Sequence, residues 1–328
     1  VPLTHRKHPF FSIIIPTHNR CGMLGRVLAS CFKQNFGDFE IIVIDDASTD
    51  NTIDTLRRQT DSRVRVVRTA ENGGPSRARN VGIDSAQGSW CVMLDSDFEL
   101  VDDALDVLAS QCLSAPSDVG NVANMCIWDA GPDTPFPEPR DALLLDYAGF
   151  LRFLETLRIS EWFNCVRREV FNEARYPDAR ASEGTFHLAL AQRWRFQLTK
   201  ERLIIIHTDA PNRITSTPMH LDRDRMRRDA LELAAQADSV LTTHGEAMRR
   251  HAPTLHAKYR TEQVYYLLIG DRRREALSKL RNLGLRRVPA SRALQFALGF
   301  ASPQALVSSK ALASSGRRML QNWRGRRG

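Results

Sequence analysis

Asp95-Ser96-Asp97 sets two carboxylates one residue apart, directly after the apolar run WCVML at 90–94. A run of that length reads as a buried strand, which delivers both side chains to one edge of a sheet. Left alone the two charges repel. A divalent cation relieves the repulsion, and hard oxygen ligands suit magnesium or manganese, ions that commonly bridge one or two carboxylates to phosphate. The competing reading is a solvated aspartate pair capping the segment before Phe98. A second acidic pair, Asp45-Asp46, ends the apolar run EIIVI at 40–44 and passes into ASTD, where Thr49 or Asp50 suits the cap of a helix from Asn51. A strand-end carboxylate there can accept an imide N–H such as that of uracil, a charge-assisted bond that fixes base identity. In PTHNR at 16–20, Pro16 stops a strand and His18 offers a flat ring to a nucleobase, or is simply a surface histidine.

The elements that position these clusters follow from the pattern. FSIII (11–15), EIIVI, VRVV (64–67) and WCVML read as strands, and Gly22–Lys33, Asn51–Arg58 and Ser76–Ala86 fill the gaps with helical spacing. Such alternation predicts an α/β fold with a mainly parallel sheet flanked by helices, in which ligands bind at the carboxyl ends of strands. PTHNR, DDAS and DSD all fall there. ENGGPSRARN at 71–80 adds a glycine pair and two cations, Arg77 and Arg79, at the start of the helix that leads into the DSD strand. The chain carries neither GxGxxG nor GxxxxGK[ST]. Further on, VGNVANMCIW (119–128) reads as a strand and GPDTPFPEPR (131–140) as a loop. ISEWFNCVRREVF (159–171) reads as a strand entering a short helix, TFHLALAQRW (185–194) as a helix, and RLIIIH (202–207) as a strand. From Asp222 the chain reads as helices, which places a domain boundary near residue 220.

Length and charge fit this division. The 328 residues, 42% hydrophobic and 26% charged, are ordinary for a globular chain of about two domains. The net charge of +8 is uneven: residues 1–220 carry −5 and residues 221–328 carry +13, with no acidic residue after Glu275. The six cysteines form no CxxC pair and no zinc spacing. VPLTHRKHPF lacks the apolar core of a signal peptide, and no stretch reaches the ~18 uninterrupted apolar residues of a spanning helix. The expectation is a cytoplasmic chain.

Taken together, FSIIIPTHNR, EIIVIDDASTD, ENGGPSRARNVGIDSAQGSW and VMLDSDFEL resemble, in order and spacing, the nucleotide-binding half of the family 2 glycosyltransferases, with a fainter likeness to about residue 215. The resemblance implies a GT-A fold with nucleotide-sugar binding over 11–100 and an acceptor side over 101–220. It also implies an inverting transfer from a nucleoside diphosphate sugar, most simply UDP-linked, with manganese or magnesium on the DxD. Pro16, Thr17 and His18 would line the nucleoside, with Arg20 and Ser96 of the same segments also at the donor. Asp46 would read the base, Arg79 would lie beside it, Asp97 would hold the metal, and Asp95 would sit near metal and sugar or ribose. The family's general base normally belongs to a Glu-Asp pair opening a later helix. Here that place reads Ala181-Ser182-Glu183-Gly184, so the aspartate is missing and Glu183 becomes the expected base, with Asp178 the nearest other carboxylate. Glu183 can instead merely cap the helix, and Gly184 can mark a weakened enzyme or a nucleotide-sugar or glycan binder without turnover. In IIIHTDAPNRIT (204–215), His207 or Asp209 can add a metal contact and Arg213 a phosphate contact. Trp128 and Trp162 can wall the acceptor or fill the core.

The helical end carries one hairpin of tetratricopeptide type at 262–289, turning at Gly270-Asp271. Beyond it, residues 290–328 combine apolar stretches with arginines and Trp323, a composition suited to an anionic membrane surface. No nucleic-acid reading motif accompanies the charge, so nucleic acid is not an expected partner. In this family the acceptors of cytosolic members are often lipid-linked, so the expected acceptor is a hydroxyl of a polysaccharide or lipid-linked glycan at the inner face of the plasma membrane.

Overall fold

The computed structural model describes residues 8–130, 142–156, 161–178, 183–209, 223–283 and 290–302. The chain forms two compact units, Val1–Arg213 and Ile214–Gly328. The boundary expected near residue 220 lies in 210–222, outside the described residues, as does the loop at 131–140.

The first unit opens with β1 (Phe11–Thr17), α1 (Cys21–Phe32), β2 (Phe39–Asp45), α2 (Thr52–Arg57), β3 (Val64–Arg68), α3 (Gly74–Ser85) and β4 (Trp90–Met93). β1, β2 and β4 are apolar without alternation and almost wholly buried, as expected of strands covered on both faces. β5 (Phe98–Leu100), α4 (Ala104–Ser114), β6 (Val119–Trp128), β7 (Ala142–Leu145), α5 (Tyr147–Thr156) and β8 (Phe163–Arg167) follow. A 3-10 turn (Arg168–Asn172), α6 (Glu183–Ala191) and β9 (Arg195–Ile206) complete the unit. The nine strands form one sheet in the order β3-β2-β1-β4-β8-β6-β9-β5, with β7 also on β9. Its first half, β3-β2-β1-β4, is all parallel, whereas β8 pairs antiparallel with both β4 and β6. The register sets Thr17 beside Asp45, so β1 and β2 end together, and Met93 beside Ile14, so β4 ends earlier and its chain runs on through Asp95 and Asp97 as a loop.

Gly82 explains how α3 lies so close to this half. A Cβ there would come within 2.5 Å of Ile14 Cγ2 and 2.7 Å of Ile44 Cδ1, so only glycine lets the helix settle over β1 and β2. The main core joins α1, α4 and the sheet through Phe11, Ile13, Leu24, Leu28, Leu105 and Phe163.

The structure adds four elements to the sequence reading, β5, α4, β7 and α5, and starts β9 at Arg195, ahead of the expected residue 202. The early part of β9 is interrupted by the polar run Thr199-Lys200-Glu201. There its pairing with β6 shifts register between Ala123 and Met125, which breaks the apolar pattern a strand would show.

The second unit contains α7 (Arg223–His251), α8 (Pro253–Ile269), α9 (Arg273–Leu283) and α10 (Ala290–Ala301), packed through Ala230, Ala234, Val264, Leu268, Leu280 and Phe296. The α8–α9 turn falls at Gly270-Asp271 as expected, with Asp271 at φ +60. A Cβ at Gly270 would press on the Leu231 side chain of α7, which would have to shift to admit it. Among the described residues no helix is long and apolar enough to cross a membrane. Residues 303–328, most of the expected membrane-binding segment, lie outside the described residues.

Candidate active site

Thr17, Asp45 and Asp95 mark where β1, β2 and β4 release their chains, and the loops that follow are tied to one another. Asn19, at φ +52, uses its side-chain oxygen to accept the backbone N–H groups of Thr49 and Asp50, at 2.8 and 3.3 Å. Its own N–H donates to Ser48 Oγ at 2.9 Å. His18 Nδ1 lies 2.7 Å from the Asp46 carbonyl and Nε2 3.1 Å from the Asn19 amide, which fits an imidazole protonated at Nδ1. PTHNR and DDASTD thus form one rigid double loop. The signal for Asn19 in the sequence is its residue type, since asparagine tolerates positive φ. Thr17 Oγ1 is buried at the same edge and has no hydrogen-bond partner. Pro16 is buried beside it.

Asp46 is 3% exposed and well satisfied. Its Oδ1 accepts the Gly73 N–H and the Thr69 hydroxyl, each at 3.0 Å, and Oδ2 accepts the Gly74 N–H at 2.7 Å. The carboxylate therefore anchors the amino end of α3, where the helix dipole favours a negative charge. Oδ2 carries a single bond, which leaves it capacity for one further donor such as a base N–H. Asp50 was expected among the caps of α2, but the N-cap position is Asn51; Asp50, one residue ahead, accepts the Thr52 N–H at 2.9 Å and closes the turn into the helix. Arg77 is exposed and pairs with Glu71, away from the acidic cluster.

Arg79 does what the sequence did not indicate. Its side chain is 5% exposed, with one terminal nitrogen donating to Asp95 Oδ1 at 2.6 Å and the other meeting Glu183 Oε1 at 2.8 Å. The Tyr176 ring lies 5.5 Å away. Tyr176 is itself held to α3 by reciprocal bonds between its backbone and the Asn80 amide. Burial works against the Arg79 charge, but Asp95 and Glu183 outweigh it and raise the pKa further, so the guanidinium stays protonated. Glu183 stands in the first turn of α6, a place favourable to a carboxylate. Enclosure by protein pushes its pKa up, Arg79 opposes the rise and Asp95 adds to it. The Glu183 side chain keeps 46% of its surface open. Asp178 is exposed ahead of α6, and residues 179–182 between them lie outside the described residues.

Asp97 Oδ2 faces Arg20 at 3.7 Å. Ser96 between the two aspartates is buried. Asp95 and Asp97 present hard carboxylate oxygens at a strand end, a donor set that fits magnesium or manganese. His207 does not complete this set. Its backbone N–H donates to the Asp97 carbonyl at 3.0 Å, but its ring is turned to Glu99 Oε2, 2.8 Å from Nε2, and to Asp129 Oδ2, 3.2 Å from Nδ1. Among the described residues, the group whose possible ligand atoms lie within 4.8 Å of one another is Asp129, His207 and Asp209. Asp129 is also bonded to the N–H and hydroxyl of Thr208, and Asp209 pairs with Arg26. Glu99 and Asp129 carry no signal in the sequence beyond their place just after the DSD turn and just after β6. Arg213 lies outside the described residues.

Trp128 packs against the main core. Trp162 belongs to an aromatic cluster with Phe150, Phe153 and His187. Burial, with a smaller contribution from Arg79, pushes the His187 pKa down to about 3 and keeps the ring neutral.

Residues 12–174 match the model of Glycosyl transferase family 2. Over 211 residues the chain is 28% identical to the glycosyltransferase GlyG of Streptococcus pneumoniae, covering 60% of this chain and 67% of GlyG. Other curated glycosyltransferases match at 36–39% identity over 100 residues, about 40% of their own length. Among solved structures, TarS 1–349 of S. aureus in complex with UDP-GlcNAc superposes with a TM-score of 0.57 at 17% identity, over 93% of this chain and 92% of that one. The mannosyltransferase PcManGT of Pyrobaculum calidifontis, in complex with GDP-Man and Mn2+, gives 0.52 at 19% identity, over 93% and 86%. These likenesses show a GT-A fold with a helical extension. The family match begins in β1 and runs through the DSD strand end to the segment behind Arg79's aromatic neighbour, and on it the chain belongs to glycosyl transferase family 2 and is a transferase.

Proposed function

We propose that the chain transfers a sugar from a nucleoside diphosphate sugar, with UDP as the leading nucleotide, to a hydroxyl of a polysaccharide or lipid-linked glycan, with inversion at the anomeric carbon. The observation that carries this reading is the Arg79 guanidinium, which joins Asp95 of the DSD strand end to Glu183 of α6. It brings the expected donor-holding carboxylate and the expected base to opposite sides of one planar group, although they stand far apart in sequence. The nucleotide-bound TarS and PcManGT support a nucleoside diphosphate sugar as donor.

In this reading the base packs at the double loop, where Pro16, Thr17 and His18 form one wall and Asp46 Oδ2 accepts from the base. Asp95 and Asp97 would hold a divalent metal, which supplies positive charge to the departing diphosphate. Glu183 takes the proton of the acceptor hydroxyl as its oxygen bonds to C1, and the bond from C1 to the diphosphate oxygen breaks with its electron pair on the leaving group. Arg79 favours the ionised form of Glu183 against the rise that burial imposes. One observation favours a second reading, a binder without turnover: Gly184 stands where the family's aspartate is expected.

The test is transfer and donor hydrolysis across a panel of nucleotide sugars with manganese or magnesium, comparing the parent with Asp97→Ala. The expected outcome is turnover of at least one donor and a loss of about 10²–10³-fold in Asp97→Ala. Donor binding without turnover in the parent would favour the second reading, and full turnover by Asp97→Ala would remove the metal assignment.

A further inference from the structure

The two aspartates of the DSD turn are matched by arginines in different ways. Arg79 meets Asp95 at 2.6 Å, a short hydrogen-bonded ion pair with one partner almost fully enclosed. Arg20 stands 3.7 Å from Asp97, beyond hydrogen-bond distance, so charge alone holds it. Only 12% of the Arg20 side chain is exposed, yet among the described residues its guanidinium otherwise meets only Met23 Sδ, at 3.8 Å. A guanidinium has five N–H donors arranged for planar oxyanions, and here none reaches an oxygen at bonding distance. The backbone of Arg20 is fixed, its N–H donating to Thr52 Oγ1 at 3.1 Å, and its carbonyl accepting from Met23 as α1 begins. The side chain is therefore a tethered cation, loosely parked on a carboxylate and short of acceptors.

We propose that Arg20 is the stand-in cation of Asp97, exchanged for the divalent metal when the nucleotide arrives, and that the released guanidinium then binds the donor diphosphate. The inference rests on the reading of Asp97 as a metal ligand. A dication on Asp97 would repel a guanidinium 3.7 Å away, while a diphosphate beside the metal offers paired anionic oxygens as the acceptors that Arg20 lacks. Metal and nucleotide then favour each other's binding through one side chain, a coupling that must be reciprocal.

The test is a titration of the full chain with MnCl2, following free Mn2+ by electron paramagnetic resonance, without nucleotide and with UDP or GDP, for the parent, Arg20→Met and Arg20→Lys. Arg20→Met is expected to bind Mn2+ about 5-fold more tightly than the parent without nucleotide, and to lose about 5-fold or more of the gain that nucleotide confers. Arg20→Lys, which keeps the charge and guards against a folding defect in the methionine variant, should stay near the parent without nucleotide. Mn2+ affinity in Arg20→Met equal to or weaker than the parent's, with nucleotide enhancement intact, would overturn the exchange and leave the metal reading standing. No Mn2+ binding by any form even with nucleotide would overturn both.

Discussion

At one end of the strand edge Asp46 is held by two backbone N–H groups and a hydroxyl, whereas at the other Asp95 and Asp97 are held by the guanidinium groups of Arg79 and Arg20. The first arrangement is part of the framework, because its two backbone donors belong to the start of α3 and its hydroxyl donor, Thr69, directly follows β3. The second is made of long side chains whose charges can be traded for those of a ligand. A site that binds an aromatic base and a charged diphosphate is well served by that split: a fixed wall for the base and exchangeable cations for the phosphates and acceptor chemistry.

Replacing Arg79 attacks the comparison at its strongest point. Arg79→Met is expected to lower transfer by about 10²-fold, since both Asp95 and Glu183 lose their shared partner, and to cost about 2 kcal/mol of stability, less than for a fully enclosed triad because both carboxylates are partly open. The pH profile gives the sign. Glu183 already has a raised pKa, and Arg79 is the influence holding it down, so its removal should move the acidic limb of the rate profile to higher pH. Asp95→Asn should move it to lower pH. A limb that stays in place in both variants would mean that Glu183 is not the titrating base.

Asp46→Asn tests the framework end. The amide would turn an NH2 group toward a backbone N–H or forfeit one of the three bonds, so denaturant unfolding should show a loss of about 1–3 kcal/mol. A variant of parental stability but weaker nucleotide binding would instead make Asp46 a reader of the base and little else.

The parallel half of the sheet was legible because β1, β2 and β4 are uninterrupted apolar runs ending in polar clusters, and that pattern has few other physical explanations. The DSD, DDAS and PTHNR segments could be assigned to one edge for the same reason. The bridge from Arg79 to Glu183 was not legible, because it depends on β8 returning antiparallel beside β4 and on Asn80 clamping the chain at Tyr176. β5 has only three residues, and β9 hides its first half behind Thr199-Lys200-Glu201. The direction of the His207 ring likewise depends on Asp129 at the end of β6, a strand whose neighbours the sequence does not name.

An effect that emerges only on acidification concerns the aromatic cluster behind α6. His187 is neutral in the folded chain, with its pKa pushed down to about 3, so protonation favours the unfolded state as pH falls below the usual histidine range. Its contribution is fully present above about pH 6.5 and lost on acidification toward pH 3, by up to about 1.4 kcal/mol per pH unit. His187→Phe should flatten that slope by up to one proton in unfolding titrations, and an unchanged slope would show that the ring is charged or accessible in the native state.

The central claim is that Glu183 accepts the acceptor proton at a donor site built on the DSD turn. It is tested most directly by measuring transfer from the best donor with Glu183→Gln beside the parent, with nucleotide binding followed in the same samples. Nucleotide binding is expected within about 2-fold of the parent, with transfer reduced by about 10²–10⁴-fold. Transfer at the parental rate by Glu183→Gln would contradict the claim.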